Sequence, residues 1–282
     1  MVRSFDIRRI ENAAERRVID DVAIEEPLEI RLEYWVKKAR RCESLVVTMR
    51  TPGHDRELVA GFLLSEGIIR ESAHIKQIRE IGPSPSNEIV AELAPEVDVE
   101  AWRLARNGFV LASCGICGKR TREALAVEVP QLAPEEFRVS ATVIESVPAL
   151  LAARQLEFSR TGGLHAAGLV NAAGEMEALF EDIGRHNALD KLIGYSVLND
   201  RIPLRSSLLC LSSRSSFELI QKTAMAGAPI LVTIGGSSSL AIESAREYGI
   251  TLIGFVRGQR FNIYSGEWRI ESSGRLPAGL RK

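Results

Sequence analysis

Two cysteines three positions apart, Cys114 and Cys117, have the residue type and spacing best suited to chemistry in this sequence. They lie in Ser113-Cys-Gly-Ile-Cys-Gly-Lys119, where small residues leave room for another molecule to approach a sulfur atom. The cations Lys119 and Arg120 follow at once, and nearby positive charge lowers the pKa of a thiol. Such a thiolate could attack a sulfane sulfur and carry it as a persulfide, which the second cysteine could discharge by forming a disulfide.

Other uses of this cysteine pair stay open at this point. A structural zinc site usually has four ligands, but Cys42 and Cys210 are isolated and the four histidines form no closely spaced pair. A thioredoxin-type motif would open a helix after a strand, whereas a glycine-rich loop is predicted here. The remaining alternative is two unremarkable loop cysteines.

Two segments place a histidine beside glycine and polar residues. His165 ends Thr161-Gly-Gly-Leu-His165, and Arg185 and His186 lie in Glu181-Asp-Ile-Gly-Arg-His186 at a predicted helix start. This pattern suits anion binding or proton transfer. The alternatives are a histidine that only forms structural hydrogen bonds and an Asp182 that only caps the helix.

Three segments near the C-terminus could bind phosphate. Ser212–Ser216, which contains Arg214, and Gly235–Ser239 each lie between a predicted strand and a predicted helix, where backbone N–H groups favour an anion. Phe255-Val-Arg-Gly-Gln-Arg260 adds two arginines for phosphate and an aromatic ring that could stack on a base or lie in the core. Neither loop matches an ATPase or dinucleotide-binding motif, and two capped helices are the plain alternative.

Composition excludes several classes of protein. The 282 residues are 45% hydrophobic and 26% charged, with a formal net charge of −1, so no overall basic field would gather nucleic acid. We find no signal peptide and no apolar run long enough to span a membrane. Four cysteines in a chain of this length indicate the reducing cytoplasm rather than a disulfide framework.

The elements that would position these residues follow from hydrophobic patterning. We predict a frayed entry over Met1–Asp20, then an α+β region with strands near residues 29–35, 43–49 and 89–93 and a helix after Asp55. After a proline-containing linker at 130–134, strands and helices alternate, which predicts a helix-covered sheet. The predicted domains are residues 20–130 and 131–282.

Seven segments together resemble the formate dehydrogenase accessory sulfurtransferases, the FdhD family. They are Glu26–Ile30, Glu57–Gly67, Ser113–Gly118, Thr161–Ala166, Glu181–Lys191, Ser213–Lys222 and Gly249–Phe255. The resemblance implies a sulfur carrier that takes persulfide sulfur from a cysteine desulfurase to a molybdenum cofactor in its bis-guanine-dinucleotide form. That cofactor, a bound substrate, is then inserted into formate dehydrogenase. No permanent cofactor and no resident metal are expected.

The resemblance also implies roles for particular residues. Cys114 is the expected persulfide carrier with Cys117 as its partner. The expected cofactor contacts are Phe255, Val256, Arg257, Gly258, Gln259 and Arg260, with His165, Arg185, His186 and Arg214 as further candidates. The resemblance implies a homodimer and a second domain similar to cytidine deaminase, although the deaminase zinc motif is missing. Gly235–Ser239 departs from a proline-containing turn that is usual in the family.

Overall fold

The computed structural model describes residues 2–83, 86–100, 129, 132 and 137–271 of the chain. Its strands, β1 to β14 in chain order, are Val2–Glu11, Ala14–Ala23, Glu26–Val36, Ala39–Arg50, Ile75–Glu80, Glu88–Leu93, Val139–Ser140, His165–Asn171, Met176–Asp182, Ser207–Leu211, Ile230–Thr233, Thr251–Arg257, Arg260–Ser265 and Ile270–Glu271. Its α-helices, α1 to α6, are Asp55–Ser65, Ala141–Arg154, Leu156–Thr161, Arg185–Leu198, Phe217–Met225 and Ser239–Glu247. Short 3-10 helices cover Ser72–His74 and Glu267–Arg269.

The strands form two larger sheets and two small ones. One larger sheet has the order β4-β3-β6-β5, with β3 and β6 parallel. The other has the order β13-β12-β11-β10-β8-β9, with β10, β11 and β12 parallel and β13 antiparallel at one edge. β1 pairs only with β2, and β14 pairs with β7 in the described part of the chain. The mixed α/β fold class predicted from the sequence agrees with this architecture.

The chain divides into two compact units that are not contiguous in sequence. Unit 1 consists of Met1–Glu128, Ala153–Ala167 and Leu179–Arg201, and unit 2 of Val129–Ala152, Gly168–Ala178 and Ile202–Lys282. The first division lies close to the predicted boundary between residues 130 and 131. Unit 1 differs from the predicted first domain because it also takes two later segments, one of which carries α4.

Two glycines explain why α4 belongs with α1 in unit 1. A Cβ atom on Gly61 would lie 1.8 Å from the backbone oxygen of Asp190, and one on Gly194 would lie 1.7 Å from that of Glu57. Each glycine therefore lets the other helix's backbone approach more closely than any side chain allows. Leucines on both helices are fully buried, and each contributes about 1.5–3 kcal/mol through burial.

The N-terminal segment is ordered, and our prediction of a frayed entry was wrong. β1 and β2 form an antiparallel hairpin in which Glu11 lies opposite Ala14, closed by Asn12 and Ala13 at φ of 51° and 63°. Two such residues in succession make the turn that suits a two-residue hairpin loop. The prediction failed because both faces of the hairpin are largely exposed, so the apolar alternation typical of a strand is weak.

Most other elements agree with the hydrophobic pattern to within a few residues. The exceptions are β9, which occupies part of a stretch expected to open a helix, and the elements that we did not predict, namely β5, β7, β8, β13, β14 and α3. Within the described residues, no helix combines the length and apolar character needed to cross a bilayer.

Candidate functional site

Cys114 and Cys117 lie outside the described residues, so their assignment as the sulfur-carrying pair stays a prediction. The other two cysteines provide a contrast in reactivity. Cys42 is exposed on β4, whereas Cys210 is fully buried in β10. Burial raises the pKa of the Cys210 thiol to about 12, because the thiolate loses its hydration there. Cys210 therefore stays protonated and unreactive while the chain is folded.

The turn between β9 and α4 positions Arg185 and His186 at the first turn of α4. Gly184 is the N-cap residue, with extended backbone at φ −95° and ψ 120°. Its N–H donates to Oδ1 of Asp182 over 2.8 Å, and the Asn187 side chain donates to the same oxygen over 3.2 Å. Asp182 therefore fixes the turn that presents Arg185 and His186.

Asp182 is also one half of a fully buried ion pair with Lys191, at 2.7 Å. Its Oδ2 accepts from the backbone N–H of Thr51 as well. Lys191 donates to the backbone oxygens of Thr51 and Glu181, at 2.8 and 3.3 Å. With the Asp182 bond these account for all three ammonium hydrogens. A buried ion pair is tolerated when both ions are hydrogen-bonded in this way, and this one ties α4 to the end of β4.

Other polar residues of the 181–191 motif also form internal contacts. Glu181 accepts from the backbone N–H groups of Glu157 and Phe158 at the start of α3. Asn187 donates to the backbone oxygen of Met49, and Asp190 accepts from the Ser65 hydroxyl at 2.8 Å. These side chains serve the architecture of unit 1, a role that sequence analysis did not separate from ligand binding. The sequence of the motif does not distinguish a structural role from ligand binding, because the hydrogen-bond partners that decide between them lie more than 20 residues away.

His165, Arg185 and His186 line one cavity of unit 1, so the structure brings together three of the predicted contacts. The cavity has a volume of about 270 Å³, and Glu25, Met49 and residues 183, 184 and 187 complete its lining. Among the described residues, Arg185 makes no ion pair. A half-exposed arginine at a helix N-terminus, next to two imidazoles, favours an anionic ligand.

The same surroundings control the protonation of His165. Burial lowers the pKa of His165, and the positive charges of Arg185 and His186 lower this pKa further, against an opposing effect of Asp182. His165 is therefore neutral near pH 7. A neutral imidazole can donate from one ring nitrogen and accept at the other.

Arg214 and the serine loops lie in unit 2, at the carboxyl ends of β10 and β11. The Ser215 N–H donates to the Gly236 oxygen at 3.0 Å, and the Ser238 N–H donates to the Ser215 oxygen at 3.2 Å. The Ser215 hydroxyl bonds to the Ser237 hydroxyl at 2.7 Å. The two predicted phosphate loops therefore form one hydrogen-bonded shelf, made of Ser212–Ser216 and Gly235–Ser239, next to the starts of α5 and α6.

The Gly235–Ser239 turn differs in sequence from the proline-containing turn expected for the family, and its hydroxyls have separate roles. Ser238 caps α6 by accepting from the Ala241 N–H, while Ser237 bonds to Ser215. A Cβ atom on Gly235 would lie 2.8 Å from Cγ of Arg214. Glycine at this position therefore lets the Arg214 stem lie against the turn.

Phe255 lies over the same shelf in an unusual backbone conformation. Its φ is +55°, the left-handed region that a bulky residue rarely adopts, and it occupies an irregular step in the pairing of β12 with β13. The ring is partly exposed and lies against Gly236, where an added Cβ atom would be only 2.6 Å from Cζ of Phe255. Such a strained conformation is typical of functional sites.

The rest of the 255–260 segment forms the hairpin turn from β12 to β13. Arg257 and Arg260 lie opposite each other, and both are exposed, as is Gln259. Gly258 has a φ of +56°, and apart from its chain neighbours no described atom would lie within 4 Å of a Cβ atom added there. The Val256 side chain is buried in the core, so only its backbone is available to a ligand. In the part of the chain that the structure describes, neither arginine pairs with a carboxylate.

Comparison with known proteins identifies the family. The model of the FdhD/NarQ family matches residues 23–271. The chain belongs to the FdhD/NarQ family. The resemblance stated from the residues is thereby confirmed.

Relatives within the family match over nearly their whole length. The chain is 43% identical over 280 residues to the sulfur carrier protein FdhD of Nocardia farcinica, covering 97% of this chain and 95% of the relative. It is 42% identical to that of Corynebacterium efficiens, with 88% and 90% covered. A crystal structure of a putative formate dehydrogenase accessory protein from Desulfotalea psychrophila shares the fold. Its TM-score is 0.74 at 24% identity, covering 96% of this chain and 99% of that one.

Among the described residues, no group of three or more His, Cys, Asp or Glu side chains could hold a metal ion. The predicted contacts of the described residues form two groups: a cavity in unit 1 lined by Arg185 and two histidines, and a shelf in unit 2 with an exposed ring and exposed arginines.

Proposed function

We propose that this chain is the sulfur carrier that formate dehydrogenase requires for activity. The observation that carries the proposal is its identity of 43% over 97% of its length with a relative named sulfur carrier protein FdhD. The glycine-flanked pair of Cys114 and Cys117 supplies the residue type that such a carrier needs. The fold of a putative formate dehydrogenase accessory protein agrees with this role.

In the first step, the Cys114 thiolate attacks the terminal sulfur of a persulfide on a cysteine desulfurase. The new S–S bond forms on Cys114, the donor's S–S bond breaks, and the donor cysteine leaves as a thiolate. No external oxidant or reductant is consumed. Lys119 and Arg120 favour the thiolate that starts the reaction.

In the second step, the sulfur passes to the molybdenum cofactor, the substrate of the transfer. Attack by Cys117 on Cys114 forms a disulfide and releases the outer sulfur at the oxidation level of sulfide. The released sulfur gains the two electrons that the two cysteines lose. A cellular dithiol reductant then restores the pair. In this sense the chain acts as a sulfurtransferase.

Unit 2 is the proposed site for the guanine dinucleotide groups of the cofactor. Phe255 offers a ring to a base, and Arg214, Arg257 and Arg260 offer charge to phosphate oxygens. The N–H groups at the starts of α5 and α6 add a field that favours the same anions. His165, Arg185 and His186 are a second candidate contact, suited to a smaller anionic group.

The proposal includes three expectations about context. The chain works in the cytoplasm, it forms a homodimer, and it meets the desulfurase and formate dehydrogenase in turn. It binds neither nucleic acid nor membrane.

Persulfide loading tests the sulfur-carrier role. The purified chain is incubated with a cysteine desulfurase and cysteine, and its intact mass is measured. We expect a gain of one sulfur atom that is lost in Cys114→Ala. Cys42→Ala is the matched control, because it removes an exposed cysteine and should keep the gain.

A second readout connects loading with function. In cells that lack the chain, wild type and Cys42→Ala should restore formate dehydrogenase activity, and Cys114→Ala should not. Restoration by Cys114→Ala, or no mass gain in wild type, would favour a cofactor-binding chaperone without sulfur chemistry.

A further inference from the structure

The hairpin of β1 and β2 lacks any further strand among the described residues. Its two strands form a sheet of their own. A lone two-stranded hairpin is at best marginally stable, and its unpaired edges can template pairing with another chain. The hairpin also leaves large apolar side chains in solvent, including Ile10 at 68% and Phe5 at 47% exposure. These features make the hairpin a candidate surface for strand pairing.

The turn fixes which backbone groups of β1 face outward. In a hairpin closed by two residues, the residues that flank the turn, Glu11 and Ala14, form a hydrogen-bonded pair. The odd-numbered residues of β1 therefore bond to β2. Its even-numbered residues, from Ser4 to Ile10, direct their N–H and C=O groups to the open edge.

We propose that this edge pairs antiparallel with β1 of a second copy of the chain, with Ile7 opposite Ile7 on the two-fold axis. Opposed side chains in an antiparallel pair lie on the same face of the sheet. The two-fold axis must therefore pass between one residue and its own copy in the second chain. The result is a four-stranded sheet with the order β2-β1-β1-β2.

Charge complementarity selects Ile7 as the central residue. In this register Asp6 lies opposite Arg8 of the second copy, and Arg3 lies opposite Glu11, each twice by symmetry. Phe5 lies opposite Arg9 and can form a cation–π contact. Centring on Asp6 or Arg8 instead would set two like charges directly opposite each other, which is destabilising.

The ion pairs inside the hairpin extend this pattern. Arg8 pairs with Glu15 at 3.6 Å, and Arg17 pairs with Asp6 at 3.1 Å. In the proposed sheet, one face therefore carries a row of four alternating charges. The row runs from Glu15 and Arg8 of one copy to Asp6 and Arg17 of the other.

The edge of β2 is a weaker candidate for the same pairing. Centring β2 on Ile19 would match only Arg17 with Asp21, whereas the β1 register matches both Asp6 with Arg8 and Arg3 with Glu11. The base of β2 also lies near the end of α3, where a Cβ atom on Gly163 would be 3.7 Å from that of Ala23. These contacts favour β1 as the free edge.

This proposal rests on the homodimer that the proposed function expects, and it names the β1 edge as the surface through which the two copies meet. Most of the hairpin lies before residue 23, where the family match begins. Sulfur loading of the hairpin variants by the mass assay is a separate readout, so either proposal can fail alone.

A charge swap tests the register. By sedimentation equilibrium, Asp6→Arg and Arg8→Asp should each weaken the dimer by about tenfold or more, since attractive pairs become repulsive ones. An equal mixture of the two variants, and the double variant Asp6→Arg/Arg8→Asp, should both regain dimerisation. Lys38→Asp is the control, because it makes a comparable change of charge on an exposed residue outside the hairpin and should leave the dimer unchanged.

A disulfide trap tests the two-fold axis. In a background with Cys42, Cys114 and Cys117 replaced by serine, Ile7→Cys should form a covalent dimer with oxidised glutathione, whereas Ile19→Cys on β2 should not. A monomeric wild-type chain would overturn the proposal. So would a dimer that is insensitive to the charge swaps, or one trapped equally well by Ile19→Cys.

Discussion

Two polar, glycine-containing segments were both predicted to bind ligand, and the structure uses them in opposite ways. In the 181–191 motif of unit 1, Asp182 and Lys191 are buried and bonded to each other and to backbone groups. In the shelf and hairpin of unit 2, Phe255, Arg257 and Arg260 point to solvent. A long polar motif is therefore not by itself a binding site, because many of its polar groups can be satisfied internally.

Lys191→Met gives the largest expected effect and tests the structural side of this comparison. It leaves the buried Asp182 carboxylate without its counter-ion, which should lower the free energy of unfolding by about 3–5 kcal/mol. Urea denaturation measures the change. The control is Arg160→Met, whose solvent-exposed ion pair with Asp21 should contribute far less to stability. Equal losses in both variants would contradict this account of the motif.

Gly61→Ala should be the next most damaging change in unit 1. The added methyl group would collide with the backbone of α4, and we expect a loss of about 3 kcal/mol or a failure to fold. Thermal unfolding checks this against Gly163→Ala, where the nearest atom to the new methyl group is 3.7 Å away. A stable Gly61→Ala chain would mean that the two helices can separate at little cost.

Phe255→Ala tests the binding side of the comparison. Loss of a ring that stacks on a base should weaken binding of guanosine diphosphate about tenfold, by calorimetry, with little loss of stability. Trp268→Ala removes another exposed aromatic ring of unit 2 and should leave the affinity unchanged. An unchanged affinity in Phe255→Ala would remove the ring from the proposed site.

Gly236→Ala sharpens the same test without removing the ring. Its methyl group would displace the Phe255 side chain, so a smaller loss of affinity is expected. If only Phe255→Ala weakens binding, the ring is needed but its observed position is not.

Arg185→Gln gives the smallest expected effect. Removing the cation should raise the pKa of His165 toward its ordinary value of 6.5, but only in part, because burial is the larger cause of the lowered pKa. A histidine NMR titration measures the shift, and Arg160→Gln should leave it unchanged. An unchanged pKa of His165 in Arg185→Gln would mean that Arg185 lies too far from His165 to share a ligand with it.

The lowered pKa of His165 also has a consequence for stability. As the pH falls below 6.5, the unfolded chain binds a proton at this residue before the folded chain does. The free energy of unfolding therefore decreases with falling pH until the folded chain is protonated as well. His165→Gln should remove this contribution from the pH dependence.

Hydrophobic patterning predicted the elements whose residues are buried. β3 was predicted from its alternation and β6 as a short strand, while β10, β11 and β12 were predicted from apolar runs that alternate with helical periods such as that of α6. The N-terminal hairpin was missed because its exposed strands are held together by cross-strand ion pairs, which leave little hydrophobic signal.

The candidate site was predicted in composition but not in geometry. The sequence indicated His165, Arg185 and His186 as candidates, and they do line one cavity. It could not show that Phe255 adopts a left-handed backbone, because aromatic residues rarely do so and no local pattern predicts it. The role of Lys191 depends on Thr51, which lies 140 residues earlier in the chain.

The close packing of α1 against α4 also sets an order of events during synthesis. The partner of the helix at Asp55–Ser65 ends at Leu198, so unit 1 lacks a central part of its core until that residue has left the ribosome. Cys114 and Cys117 are made long before then. The nascent chain therefore carries both thiols through a period in which the unit that contains them is still incomplete.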